Sequence, residues 1–112
     1  MMVWVLLLCI LLAVPVSAGA AGVTLAWDYV QGADPAVLFA IYKQVGCAES
    51  PTRATVDVSM QTWMDPGPFF VGEMVCYTVT AVDSVGLESS PSNVLAVRCK
   101  RASKRQVVCG GM

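Results

Sequence analysis

Histidine is absent from the 112 residues. That removes the imidazole base of the Ser–His and Cys–His nucleophile pairs and every metal site built on histidine. Charge is scarce as well: Asp, Glu, Lys and Arg make up 13% of the chain, 8 acidic against 7 basic. No glycine run has the spacing that cradles a phosphate, and no carboxylate run has calcium-loop spacing. The cysteines contain no C-x-x-C knuckle, which argues against a zinc ribbon. Asp28 and Asp34 flank one loop, and Asp83 and Glu88 flank one turn. Carboxylates so placed are ordinarily solvated charges and not an acid and base pair. With room for one domain and one core, the chain reads as a binding or structural protein, not an enzyme, with no cofactor and no metal.

Apolar residues are plentiful, 56% of the chain, but 16 of them fall in the first 18 positions. An unbroken apolar run from Met1 to Val14 is followed by Pro15 and then by Ser17, Ala18, Gly19 and Ala20. That order predicts an export signal over 1–18, cleaved after Ala18 or after Ala20. The run is shorter than the roughly 20 residues of a membrane span. No Lys or Arg precedes it, so an uncleaved signal anchor is the alternative.

Four cysteines follow the leader: Cys47, Cys76, Cys99 and Cys109. An even number in a short exported chain favours disulfides, and four cysteines allow about three pairings. The charges are segregated. Val23 to Val97 carries Lys43 and Arg53 against eight carboxylates, 2 − 8 = −6. Arg98, Lys100, Arg101, Lys104 and Arg105 then follow with no acid among them. An acidic domain over 19–97 and a basic tail over 98–112 are the expected divisions.

Within the domain, the pattern has a period of two. VTLAWD sets Val23, Leu25 and Trp27 on one side, as a half-buried strand requires. A loop follows at Tyr29 to Pro35. Ala36 to Gly46 is the second predicted strand, with Phe39 and Ile41 on one face and Ala40 and Tyr42 on the other. Thr52 to Val58 and Gln61 to Met64 are shorter ones, before the breaker run Asp65-Pro66-Gly67-Pro68. Met74 to Asp83 alternates Tyr77, Val79 and Ala81 against Cys76, Thr78, Thr80 and Val82, predicting a solvated threonine-rich outer face. After a turn at Ser84 to Ser90, Ser92 to Val97 is the last predicted strand. Helical periodicity is absent outside the leader, so the class is all-β, a sandwich or barrel.

On these residues the stretch Val23 to Val97 resembles a fibronectin type III domain. Trp27 resembles the core tryptophan of that family's second strand, and Phe39 and Ile41 match its third-strand pattern. CYTVTAVDSVGLESSPSN, Cys76 to Asn93, is similar to its sixth strand, the following turn and the start of the seventh. The resemblance implies an immunoglobulin-like sandwich of six to seven antiparallel strands, with Trp27, Phe39, Ile41, Tyr77, Val79 and Ala81 in the core. Cleavage of the leader would remove the family's first strand and leave the Trp27 strand as an open edge. The cysteines lie outside the family pattern. In the sandwich so implied, Cys47 comes near Cys76, and Cys99 is left to Cys109.

As function, the resemblance implies a non-catalytic secreted or cell-envelope module that binds a protein or acts as a spacer. Its expected contact loops carry Tyr29, Gln31 and Asp34 on one side and Ser84, Leu87 and Glu88 on the other. One alternative is self-assembly through the open edge strand. Another is carbohydrate binding on Tyr29, Tyr42 and Trp63. The tail is expected to be a solvated extension, with a small basic loop that touches an anionic membrane or polyanion as its functional reading. No specific nucleic-acid recognition is expected.

Overall fold

The computed structural model describes residues 12–15, 22–29, 35–104 and 106–111. The two expected cleavage points, Gln31, Asp34 and Arg105 lie outside them. Every regular element among the described residues is a strand. In chain order these are β1 (Leu12–Pro15), β2 (Val23–Ala26), β3 (Ala36–Val45), β4 (Thr52–Asp57), β5 (Thr62–Asp65), β6 (Met74–Asp83), β7 (Leu95–Ser103) and β8 (Gln106–Gly111). One sheet has the order β1-β2-β5 and the other β4-β3-β6-β7-β8, with all pairings antiparallel. The architecture is the expected all-β sandwich, with eight described strands where six to seven were predicted.

The added strands lie at the two ends of the described chain. Leu12–Pro15, inside the predicted leader, pairs with β2 over four positions, from Leu12↔Ala26 to Pro15↔Val23. In this structure β2 is therefore the middle strand of its sheet and not an edge. At the other end the predicted solvated tail is a hairpin. β7 runs on to Ser103 and β8 returns beside it, with Cys99 directly opposite Cys109. Val97, Cys99 and Cys109 face the core while Arg98 and Lys100 face solvent. The alternation of β7 thus carries through Arg98 and Lys100.

β7 also begins later than predicted, at Leu95, because two serines stand in for the ladder before it. Ser92 donates its backbone N–H to Val79 O and accepts the Val79 N–H on its hydroxyl. Ser89 does the same with Ala81. Pro91, between them, has no N–H to satisfy. The segment presses on the outer edge of β6 and Glu88 bridges to Val82. Thr80 and Val82 are buried in consequence, which corrects the expectation of a solvated outer face there.

All six predicted core residues are buried. Val23, Leu25 and Trp27 come from β2 and its continuation, and meet Phe39, Ile41, Val75, Tyr77, Val79 and Val97 of the larger sheet in one cluster. Trp27 stands edge-on to Phe39 with ring centroids 5.4 Å apart, the geometry aromatic quadrupoles prefer. The connection from Asp65 to Glu73 closes one end. Phe69 tucks beneath it, whereas Phe70 and Val71 face water. Gly67 makes this bend, at φ +89°, and a Cβ there would lie 2.8 Å from the Phe69 ring.

A buried carboxylate ties the layers together. Asp65, the last residue of β5, is 3% exposed. Lys43 and Tyr77 are opposite one another on β3 and β6, and both reach across the sandwich to the same oxygen. Tyr77 Oη donates to Asp65 Oδ2 at 2.7 Å and Lys43 Nζ lies 2.8 Å from it. Asp65 Oδ1 accepts the Gly67 N–H at 3.0 Å. The Tyr77 hydroxyl, the Lys43 ammonium and the Gly67 N–H converge on one carboxylate, so removing it strands a mostly buried ammonium and a phenol.

Asp65→Ala is expected to cost about 3 kcal/mol or more in urea unfolding, and Tyr77→Phe about 1 to 2 kcal/mol. Burial first, then the hydrogen bond and charge of Asp65 and the charge of Glu73, push the Tyr77 hydroxyl far above its ordinary value. Above about pH 10 the unfolded chain releases this proton while the native chain keeps it, so stability falls by up to about 1.4 kcal/mol per pH unit. Denaturation from pH 8 to 11 checks this: Tyr77→Phe should lose that alkaline slope, and an unchanged slope would remove Tyr77 as its source.

Candidate functional site

Of the two predicted contact regions, the β6–β7 turn is the one that lies wholly within the described residues. Asp83, the last residue of β6, accepts the N–H groups of both Val85 and Leu87 on Oδ1, at 3.0 and 2.9 Å. Its own N–H goes to Leu87 O, and the Gly86 N–H to Asp83 O. Gly86 takes φ +89°, which glycine adopts without steric cost. Asp83 is therefore the clamp of the turn and not a free loop charge. Clamped this way, Ser84 is exposed, and Val85 and Leu87 are held 76% and 46% exposed in water.

Glu88 departs from the expectation in another way. Instead of a solvated charge it is a half-buried hub on the outer face of the larger sheet. Its Oε1 accepts the Tyr42 hydroxyl at 2.6 Å and the Thr80 hydroxyl at 2.7 Å. Arg53 Nη2 lies 3.5 Å from Oε2, and the Arg53 Nε donates to Tyr42 Oη at 3.1 Å. Burial pushes the Glu88 carboxyl up, but the hydrogen bonds from Tyr42 and Thr80 and the charge of Arg53 outweigh it, and the net shift is downward. The turn is thus tied to β3, β4 and β6 through one side chain.

Of the other predicted loop's contact residues, Tyr29 is the one described. Tyr29 packs on Phe39, ring centroids 5.2 Å apart, and its hydroxyl accepts the Ala36 N–H at 3.2 Å. It serves as a flank of the core. Tyr42 is committed to Glu88, and Trp63 packs against the core cluster. The three aromatics considered as a sugar platform therefore lie apart in separate structural roles.

The basic residues sit on the β7–β8 hairpin, with Arg98, Lys100, Arg101 and Lys104 exposed. Arg101 Nη1 donates to Lys104 O at 3.0 Å, closing the hairpin end. Both expected disulfides are present: Cys47–Cys76, with Cα atoms 5.0 Å apart, and Cys99–Cys109, 4.0 Å apart. The first closes a loop 29 residues long, and the chain-entropy account assigns it about 3.5 kcal/mol. Among the described residues no group of three His, Cys, Asp or Glu has metal-holding geometry.

No family model and no curated protein matches the chain. Solved structures do. A myokine structure superposes with a TM-score of 0.60 at 14% identity, over 84% of this chain and 99% of that one. The twitchin kinase region of C. elegans, which includes Fn3 and Ig modules, superposes with a TM-score of 0.60 at 18% identity through its Fn3 portion. The match spans 78% of this chain and 17% of the twitchin region. The chain has a fibronectin type III-like fold. At these identities the likeness concerns the fold alone, and the two disulfides of this fibronectin type III-like sandwich suit an oxidising compartment.

The clamp at Asp83 and the hub at Glu88 are separable by measurement. Asp83→Ala should cost about 1 kcal/mol and release the Val85 and Leu87 amides to fast hydrogen exchange while those of β6 stay protected. Glu88 should titrate below an ordinary glutamate in carboxyl NMR, and Tyr42→Phe should move it back up. Stability it contributes is present above the unfolded pKa and is lost as pH falls through the folded one. A Glu88 titration at the ordinary value would refute the hub.

Proposed function

We propose that this fibronectin type III-like chain is a non-catalytic module of the secreted or cell-envelope compartment that holds a protein partner and spaces what is attached to it. The observation that carries the reading is the β6–β7 turn, where Asp83 fixes Val85 and Leu87 in water. Exposed apolar side chains on a pre-ordered turn bind with little ordering cost. A rigid scaffold presenting such a turn is how sandwiches make contacts. The leader-like first 18 residues and the disulfides support export.

Val85→Asp and Leu87→Asp together test the reading. Both side chains are exposed, so the thermal midpoint should stay within a few degrees of the parent. Capture of the partner from the native exported fraction should drop by about tenfold or more, as loss of apolar anchors at a contact centre requires. Equal capture by parent and variant would overturn the turn as contact surface.

A second reading is favoured by one placement: four basic side chains are exposed on a paired hairpin, Arg98, Lys100, Arg101 and Lys104, on a domain otherwise acidic. Such a strip attracts anionic lipid or another polyanion. Binding to phosphatidylserine vesicles at low salt, lost in the Arg98→Glu, Lys100→Glu double variant and absent with neutral vesicles, is the expected result. Equal binding by parent and variant would remove the hairpin from the account.

A further inference from the structure

β4 is an open edge of the five-stranded sheet, and the directions of its free backbone groups can be read from its neighbours. On β6, the N–H groups of Val79, Ala81 and Asp83 are spent on Ser92, Ser89 and Leu87, away from β3. The alternation of an antiparallel ladder then turns the even-numbered positions of β6 toward β3, and the odd-numbered positions of β3 toward β4. The register agrees, since the Val58 N–H goes to Val37 O and Phe39 and Ile41 stand opposite Val56 and Ala54. Arg53, Thr55 and Asp57 are left with their N–H groups directed outward, and so are the C=O groups of Arg53 and Thr55, while Asp57 O accepts the Met60 N–H at 2.9 Å.

These same three residues are exposed, whereas Ala54 and Val56 between them are partly covered. An antiparallel two-fold pairing centred on Thr55 matches Thr55 with its own copy, Arg53 with Asp57, and Asp57 with Arg53. Arg53 and Thr55 have both backbone groups available for exchange and Asp57 its N–H, while the second lone pair of the Asp57 carbonyl can take the Arg53 N–H beside that of Met60. Edge strands that avoid one another carry Lys, Pro or an inward charge. Thr52–Asp57 contains neither Lys nor Pro, and its two charges have opposite signs at symmetry-related places. Opposite charges directly across a strand pair stabilise it and like charges oppose it.

We propose that β4 is a self-complementary edge, and that its partner is a second copy of this chain, joined through β4 into one continuous sheet with Arg53 of each copy opposite Asp57 of the other. The present contacts of Arg53, with Tyr42 and Glu88, are exposed, and exposed pairs hold a side chain weakly. Asp57 is exposed and accepts the Ser59 N–H on Oδ2. This interface is independent of Val85 and Leu87, so the Val85→Asp, Leu87→Asp variant should retain it.

Sedimentation of the full chain from micromolar to millimolar concentration tests the proposal. A reversible dimer is expected. Arg53→Asp and Asp57→Arg should each weaken it about tenfold, by setting like charges across the seam. Both changes together restore the complementarity and should recover the parent value. Thr55→Pro, which removes an outward N–H and no hydrogen bond to β3, should abolish the dimer. In the unaltered protein, exchange of the Arg53, Thr55 and Asp57 amides should slow as concentration rises. A monomer throughout, a dimer indifferent to Thr55→Pro, failure of the double charge swap to recover association, or amide exchange independent of concentration would each overturn it.

Discussion

The carboxylate of Asp65 is the point at which the two layers of this sandwich are held to one another by direction and not only by apolar contact. Hydrophobic burial supplies the larger driving force, but it is not directional. A small sheet lying on a larger one needs something to set its position. Here Tyr77 and Lys43, neighbours on adjacent strands, end on one oxygen of a residue in the opposite layer. The other oxygen fixes Gly67 and so begins the bend that brings Phe69 under the core. Lys43 Nζ then lies 5.1 Å from the Phe69 ring centroid, within the reach of a cation and an aromatic face. Sheet placement, loop closure and the inward-reaching Lys43 are therefore a single arrangement.

At the opposite end of β6 polar side chains do a comparable job with different means. Ser89 and Ser92 pair with the strand through backbone and hydroxyl together, which lets the chain leave the turn and rejoin the sheet at Leu95 without orphaning the N–H groups of Val79 and Ala81. Buried donors left unpaired are costly. Because that route is held, Glu88 arrives where it can accept from both Tyr42 and Thr80. The turn between Asp83 and Glu88 is thus clamped at both ends. Its exposed valine and leucine owe their fixed position to hydrogen bonds that they do not themselves make with side chains.

How much of this was legible in the sequence depended on how far one physical signal dominated. Strands whose alternation is set by burial, Val23-Leu25-Trp27 and Tyr77-Val79-Ala81, could be read directly, and the core followed from them. The cysteine pairs were implied by the family resemblance, which sets Cys47 near Cys76 and leaves Cys99 to Cys109. Lys43 was hidden because a lysine on the inward face of Phe39 and Ile41 reads as an exposed end of the strand. The same alternation, continued two residues, was the signal. Asp65 looked like turn chemistry because it opens a Pro-Gly-Pro run, and nothing local announces a partner twelve residues away. In the basic hairpin the charges masked the period: Val97 and Cys99 alternate with Arg98 and Lys100, but net charge drew the reading toward a solvated tail. Glu88 was misread for a related reason, since its partners lie on three strands that only the fold brings together.

β2 and β4 differ in what they offer another chain. β2 is covered by Leu12–Pro15, a segment that the sequence also reads as the end of an export leader. Were that segment removed, β2 would keep its pairing with β5, where Asp65 stands opposite Val23, so the tie between the layers would remain. The edge exposed would be only Val23–Ala26, and short edges are one of the ways folded proteins discourage strand addition. β4 is longer, lies at the border of the larger sheet, and points the N–H groups of three alternate residues outward, from positions whose side chains suit their own mirror arrangement. Length and charge order, more than bare exposure, make β4 the edge on which this fold can specify a partner, and the register that places Phe39 and Ile41 in the core is what decides which of its residues face out.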